Sequence, residues 1–352
     1  MCLMQQALFH KMLDFTNMHD AYRLAARGKH DKREVVSFET NIAYSLYALI
    51  ESLSQGTYRV GSYKTFVVHD PKTRQIQALS FKDRVVQHCF CDNILAPYFN
   101  ARLIYDNAAC RQGKGVHFAL NRFSNFLRDH YKKHGTQGYI LKYDIRHYFA
   151  SIDHAVLKAR LKNFPDARVR DLLYHIIDSY ESFEHGHLGA GLPMGNQTSQ
   201  WFALLYLDPM DRLIKEKWRI KHYVRYMDDG VLVHVSKDYL KEVFAEMQAL
   251  AKELKLEFNA KTQIFPLSQG VDFLGFRFYV TDTGKVIRRL RTSCKKRFKR
   301  RVKKLQKQYK AGEVEAQEIF RVLKSYNGHL KHGHTYRMKK HVYSKLVLQK
   351  GE

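Results

Sequence analysis

The stretch HYVRYMDDGVLVHV, residues 222–235, constrains this chain more than any other. Val224, Tyr226, Val231, Val233 and Val235 form two flanks rich in β-branched and aromatic residues, the composition of paired strands. Between them stand Asp228 and Asp229 with Gly230 behind, at the only place where a turn fits. Asp and Gly are good turn residues in their own right. Why two adjacent carboxylates belong on the tip of an otherwise apolar hairpin is a question this stretch leaves open.

Charge narrows the answer. The 352 residues carry 60 Lys and Arg against 34 Asp and Glu, a formal net charge of +26. Such an excess points to a polyanionic partner, most simply nucleic acid. A basic membrane-surface protein would want an amphipathic anchor or an apolar span. The longest apolar runs, such as WFALLYL (201–207), are too short to cross a bilayer, so no membrane is expected. The opening MCLMQQALFHKM lacks a basic leader region, and Gln5 and Gln6 break its apolar stretch, so it does not read as a signal peptide. Cys2, Cys89, Cys91, Cys110 and Cys294 follow no CxxC spacing and suit reduced thiols in a cytoplasm. The histidine-rich EHGH (184–187) and HLKHGH (329–334) have no accompanying Cys pair or HExxH, and read as solvated or phosphate-contacting.

The length predicts two or three subdomains. Residues 1–57 read as helical, with AYSLYALIESLS (43–54) the clearest period. A hairpin follows around HDPKTR, then a helix over 81–100. GYILKYDIRHYFASID (138–153) is β-rich and ends in a turn and helix. A helix over 166–183, a Gly-rich loop opening an apolar helix (189–214), the 222–235 hairpin, a helix over 240–254 and a strand over 270–281 complete the body. The run 285–310 holds 14 Lys and Arg and no acid. Within it Phe298, Val302, Leu305 and Tyr309 recur at i, i+4, i+7 and i+11, one apolar seam on an otherwise cationic helix. Such a helix packs on one side and meets phosphates on the other.

Asp144 answers the opening question. It directly follows the apolar strand YILKY, where a carboxylate costs desolvation unless a cation compensates. Asp144, Asp228 and Asp229 all stand at the ends of β-segments in a strongly basic protein, which is what two Mg²⁺ ions need. Mg²⁺ takes oxygen ligands, usually one or two carboxylates plus substrate phosphates. Two such ions about 3.5–4 Å apart clamp the attacking and leaving oxygens of a phosphoryl transfer.

Tyr226-Met227-Asp228-Asp229 resembles the YxDD box of reverse transcriptases, and further blocks follow the family's order over roughly residues 55–345. DPKTRQIQALSFKDRVVQ resembles the fingers blocks and NAACRQGKGVHFAL the segment after them. YDIRHYF resembles motif A, GLPMGNQTSQ motif B, LKLEFNAKTQIF motif D and VDFLGF motif E. The resemblance implies an α+β right-hand polymerase with fingers, an antiparallel-sheet palm and a helical thumb. It divides the chain into an N-terminal helical extension (1–54), fingers (55–137), a palm (138–281) with interleaved fingers helices at about 154–188, and a basic helical thumb (282–352). The implied activity is RNA-directed DNA synthesis with two Mg²⁺ ions, Mn²⁺ being a substitute. The implied partners are template RNA, a cDNA primer strand and dNTPs.

The same resemblance assigns roles. Asp144 and Asp228 correspond to the main metal ligands, Asp229 to a secondary one, and Ile145 would offer its backbone oxygen. Phe149 resembles the bulky gate beneath the sugar that excludes a 2′-OH. Lys72 and Arg74 match the fingers cations on the incoming triphosphate, with Met194 and Gly195 in the same nucleotide pocket. Arg84 and Arg111 fit either template-phosphate contacts or structural ion pairs. Lys261 resembles the motif D lysine that protonates departing pyrophosphate. Phe273, Leu274 and Gly275 resemble the primer grip, where the glycine lets backbone approach the strand. Lys296, Arg300 and Lys303 face the duplex from the thumb.

About 70 residues follow position 281, room for a thumb but for no RNase H, integrase or endonuclease domain. VTDTG (280–284) interrupts the VTG expected of retron enzymes. Motif B departs from the common QG and Ser-Pro pattern, reading Met194-Gly195 and ending Ser199-Gln200. That variant, with SYNGHLKHGHTYRM (325–338), resembles the reverse transcriptases of diversity-generating retroelements. These copy a template-repeat RNA with errors at adenines, alongside a small basic accessory protein oligomer. A defence-associated or retron-like enzyme remains the alternative, and a non-catalytic RNA-binding protein the alternative of another class, although the latter has no use for three carboxylates.

Overall fold

The computed structural model describes residues 8–69, 73–180 and 189–349, apart from the side chain of Arg74. The centre is a four-stranded antiparallel sheet in the order β4-β5-β3-β6. Its strands are β3 (Tyr139–Tyr143), β4 (Tyr223–Tyr226), β5 (Asp229–His234) and β6 (Gln263–Pro266). The flanks of the 222–235 hairpin are apolar at nearly every position because both sheet faces are covered. On one face Leu141, Tyr143, Tyr223 and Leu232 pack with Leu240, Val243 and Met247 of helix Lys237–Glu253. On the other, Ile140, Val224, Val231 and Val233 pack with Ala119, Leu120, Phe123 and Leu127 of helix Val116–His134. Alternate residues of each strand feed opposite cores, the period of a pleated strand.

An outlying hairpin pairs β1 (Lys64–Val68) with β2 (Arg74–Ala78), as the sequence predicts, although its turn lies outside the described residues. The strand expected over 270–281 is instead two: β7 (Val271–Phe273) and β8 (Phe276–Val280). Leu274 (φ +45) and Gly275 (φ +86) make the two-residue turn between them. Positive φ at both central positions defines the type I′ turn that suits strand twist. A third strand, β9 (Val286–Leu290), pairs with β8. The basic run therefore begins as a strand, and its helix starts only at Thr292.

Helix Thr292–Lys310 buries Phe298, Val302 and Leu305, with Tyr309 partly covered, so the seam read from the sequence is the packed face. It meets Ile319, Leu323 and Leu330 of helix Ala316–Leu330 and Val342 of helix Tyr336–Tyr343. This apolar cluster is separate from the two that cover the central sheet. At the other end, helix Phe15–Ala26 packs on helix Phe81–Phe90, and helix Ile42–Ser54 packs on Phe15–Ala26. Among the described residues no helix is long and apolar enough to cross a membrane.

Candidate active site

The register of the central sheet brings the carboxylates together. Tyr143 pairs with Gly230, so the next step beyond β3 sets Asp144 level with Asp229. Tyr226 pairs with Asp229, which makes Met227 and Asp228 the turn. The turn thus lies one residue earlier than Asp228–Asp229, and Asp229 already belongs to β5. Gly230 is not a turn residue either. A Cβ there would fall 2.2 Å from the ring of Tyr143, its cross-strand partner, so the glycine leaves room for that ring to lie across β5.

Burial, reinforced by the neighbouring Asp144 carboxylate, pushes the pKa of Asp228 up to about 6. Like charges this close in a desolvated place disfavour ionisation until a proton or a cation comes between them. Asp229 is also pushed up by burial, but Lys142, two residues before Asp144 on β3, pairs with it and pulls the other way. Asp144 is held from the segment before β6: Asn259 Nδ2 donates to its Oδ2 at 3.2 Å, and Asn259 N to its backbone oxygen at 2.8 Å. The ladder bonds on either side of Ile145 run to Asp144 O and from Arg146 N, which leaves the Ile145 carbonyl outside them.

Among the described residues no group of three or more His, Cys, Asp or Glu is arranged to hold an ion. Lys142 engages Asp229, and the two carboxylates placed to hold an ion are then Asp144 and Asp228, with the backbone oxygen of Ile145 nearby in the chain. Hard oxygen donors, two of them carboxylates in mutual repulsion, fit a divalent cation that completes its shell from substrate phosphates.

Below the tip lies a polar network that the sequence reading missed. Arg225 and Asp211, both with fully buried side chains, are joined through Nε to Oδ1 (2.7 Å) and Nη2 to Oδ2 (2.5 Å). Tyr223 donates to Asp211 Oδ1 at 2.6 Å, and its oxygen lies 2.6 Å from that of Tyr143. Arg225 Nη1 donates to the carbonyl of Met227 at 2.7 Å. Met227 sits at φ +55, a left-handed conformation that costs a non-glycine residue roughly 1–2 kcal/mol. The signal was available: a lone Arg inside an apolar strand needs a buried partner.

The remaining candidates fall in several places. Phe149 is half-buried beside Tyr148, and its carbonyl accepts from Leu192 N at 2.8 Å, tying motif A to the Gly-rich loop. Met194 is 38% exposed. A Cβ on Gly195 would stand 2.4 Å from Gln77 O, so this glycine lets the loop press against β2. Lys261 is exposed. Lys72 and the Arg74 side chain lie outside the described residues.

The other candidates have the following surroundings. Arg111 spends its guanidinium on Asn100 Oδ1 (2.8 Å), Asn100 O (3.0 Å) and Ile104 O (2.7 Å), which favours a structural part over a template phosphate. Its partners are neutral hydrogen-bond acceptors. Arg84 faces Glu34 at 3.7 Å and the Phe81 ring, again a structural setting. Phe273 is core, 1% exposed and packed edge-on against Phe123. Leu274 and Gly275 form the turn, and Gly275 is required by its φ, since a Cβ there would meet nothing closer than 3.5 Å. Lys296, Arg300 and Lys303 are all exposed on helix Thr292–Lys310.

The family model described as reverse transcriptase (RNA-dependent DNA polymerase) matches residues 68–278, more than half of the chain. No curated protein sequence matches it. Among solved structures it is similar to telomerase from Candida albicans in complex with a fragment of telomeric RNA. The identity is 16% and the TM-score 0.50, over 72% of this chain and 50% of that one. It is also similar to apo telomerase from Candida tropicalis truncated of its C-terminal domain, at 16% identity and TM-score 0.50, over 65% of this chain and 55% of that one. The chain spans about half the length of these telomerase chains. At such identity the likeness speaks to the fold, a right-hand polymerase with an antiparallel palm sheet, fingers and a helical thumb.

Proposed function

The chain belongs to the reverse transcriptase family, and from that premise we propose that it copies an RNA template into cDNA at the Asp144–Asp228 site. The observation that carries the reading is the convergence of these two carboxylates, with Asp228 held in a buried, electronegative place. Mg²⁺ bound there, with Mn²⁺ as a substitute, would supply charge stabilisation for an in-line attack of a primer 3′-oxygen on a dNTP. Asp144 and Asp228 hold the cation site, and Asn259 fixes the orientation of Asp144. Lys142 keeps Asp229 compensated. Phe149 lies under the sugar and excludes a 2′-OH, while Lys72 and Arg74 receive the triphosphate. Lys261, reaching into solvent, protonates the departing pyrophosphate. The exposed cations of helix Thr292–Lys310 follow the duplex backbone.

Within the family, motif B favours the error-prone enzyme of a diversity-generating retroelement. Met194 replaces a hydrogen-bonding Gln, and a thioether fills space without fixing a base. Gln200, which ends the motif, accepts from Cys110 Sγ at 3.4 Å beside the hairpin tip. The proposed cellular setting is cytoplasmic, with a small basic accessory oligomer as partner.

Primer extension on an RNA template with Mg²⁺ tests the core of this reading. Wild type extends, and Asp228→Asn folds but falls to background. Wild-type extension by Asp228→Asn removes the two-carboxylate site from the chemistry.

A further inference from the structure

The palm hairpin has an element that the chemistry above does not use: the ion pair beneath its tip. Arg225 is the largest fully buried side chain of the described residues. Its fork reaches three segments at once. Nε and Nη2 grip Asp211, Nη2 also reaches Leu204 O (3.2 Å) and Nη1 holds Met227 O. Backbone bonds lock the same residue from the side: Arg225 N donates to Asp106 O (3.1 Å), and Ala108 N donates to Arg225 O (2.9 Å). The Met227 carbonyl it holds opens the peptide that leads into Asp228. A residue at positive φ persists only when its surroundings over-determine it, and here the guanidinium is the buried group that reaches the turn's own carbonyl.

We propose that Arg225, aimed by Asp211, is a positioning residue that fixes the Asp228 carboxylate by clamping the carbonyl of Met227. The proposal deepens the polymerase reading and rests on it for the catalytic consequence. A point-charge lysine cannot reproduce the effect, because the clamp needs a planar fork with donors facing Asp211 on one edge and Met227 on another. The pair itself touches no reacting atom, so its loss should slow the chemical step while leaving nucleic-acid binding alone.

The test is the double variant Arg225→Met with Asp211→Leu. Replacing a buried ion pair with apolar side chains of similar volume is often neutral or stabilising, so the fold is expected to survive. Expected are a folded protein with a cooperative thermal transition, lowered by the partners that Tyr223 and the Leu204 carbonyl lose, and unchanged template-primer affinity. Single-nucleotide incorporation at saturating dNTP should be roughly 10- to 100-fold slower, the span for one missing hydrogen bond from a charged donor. Amide exchange should accelerate at Met227–Asp229 while Val231 and Val233 stay protected. Wild-type incorporation by the folded double variant overturns the proposal. If that variant does not fold, Arg225→Lys carries the test: faster exchange confined to the tip supports the clamp, and wild-type exchange there overturns it. A wild-type protein that extends no primer on any RNA would sink the polymerase reading instead, and tip exchange would still decide whether the pair holds the turn.

Discussion

The palm tip and the thumb helix are both dense in charge, yet they use it in opposite ways. At the tip, Asp144, Asp228, Asp229, Lys142, Arg225 and Asp211 are at least partly buried, and hydrogen bonds and ion pairs tie them to one another and to neighbouring segments. On helix Thr292–Lys310 the cations stand mostly in solvent, and only the seam of Phe298, Val302 and Leu305 is buried. Buried charges cost desolvation, so each needs its partner and its position is determined. Solvated charges are individually replaceable and act as a summed field. The first arrangement suits the bond making proposed for the tip, and the second suits the polyanion track proposed for the helix.

The tip can be disturbed without touching a charge. Gly230→Ala drives a methyl into the Tyr143 ring, which is fully buried and in hydrogen-bonding contact with Tyr223. Overpacking of this kind costs roughly 1–3 kcal/mol. Displacing the adjoining carboxylates by even about 1 Å should slow extension on the order of 100-fold. Thermal unfolding with single-turnover extension reads both effects, and normal extension would mean that the tip tolerates movement.

Next in size is the thumb. Neutralising Lys296, Arg300 and Lys303 together should weaken template-primer binding about equally for all sequences. The salt slope should drop by roughly 0.7–0.9 for each phosphate no longer neutralised, about 2–3 in all. Incorporation at saturating duplex should stay at the wild-type rate. An unchanged slope in a salt titration would show that this face is merely solvated.

The smallest expected effect falls on Met194, which is exposed like the thumb cations but lies in the proposed nucleotide pocket. Met194→Gln should lower misincorporation opposite template adenines about tenfold, the worth of one hydrogen bond, at normal extension rate. Sequencing of cDNA from an RNA containing all four bases reads the spectrum. An identical spectrum would make Met194 a filler beside the Gly195 contact with β2.

Local pattern in the sequence was enough to reveal three of the four central strands, the outlying hairpin, the seam of Phe298, Val302 and Leu305, and the placement of Asp144 after an apolar strand, but not the short edge strand β6. These features are local: a pleat or a helix face repeats within a few residues, and a carboxylate after an apolar strand is conspicuous where it stands. Glycine shows where locality ends. Gly195, Gly230 and Gly275 look alike in sequence, yet one yields to the backbone of β2, one to the Tyr143 ring and one to its own φ. Likewise the turn sits at Met227–Asp228, because the pairing of Tyr226 with Asp229 sets it, and VDFLGFRFYV folds back on itself where its apolar run suggested one strand.

The chemistry available is therefore written in the chain: three carboxylates at strand ends, a cationic helix with one apolar seam, and an order of motifs that belongs to one family. Packing then selects which of those groups are free to act. Arg111 and Arg84 carry the same charge as the thumb cations, but their surroundings engage them with Asn100, Ile104 and Glu34. Asp229 is next to Asp228 in the chain, yet Lys142 from a neighbouring strand engages it. Arg225 meets Asp211 across 14 residues of chain. The physical reason is the same throughout: residue type is a local property, whereas burial, partner and direction depend on segments distant in the chain, and these set what a charge costs and what it can do.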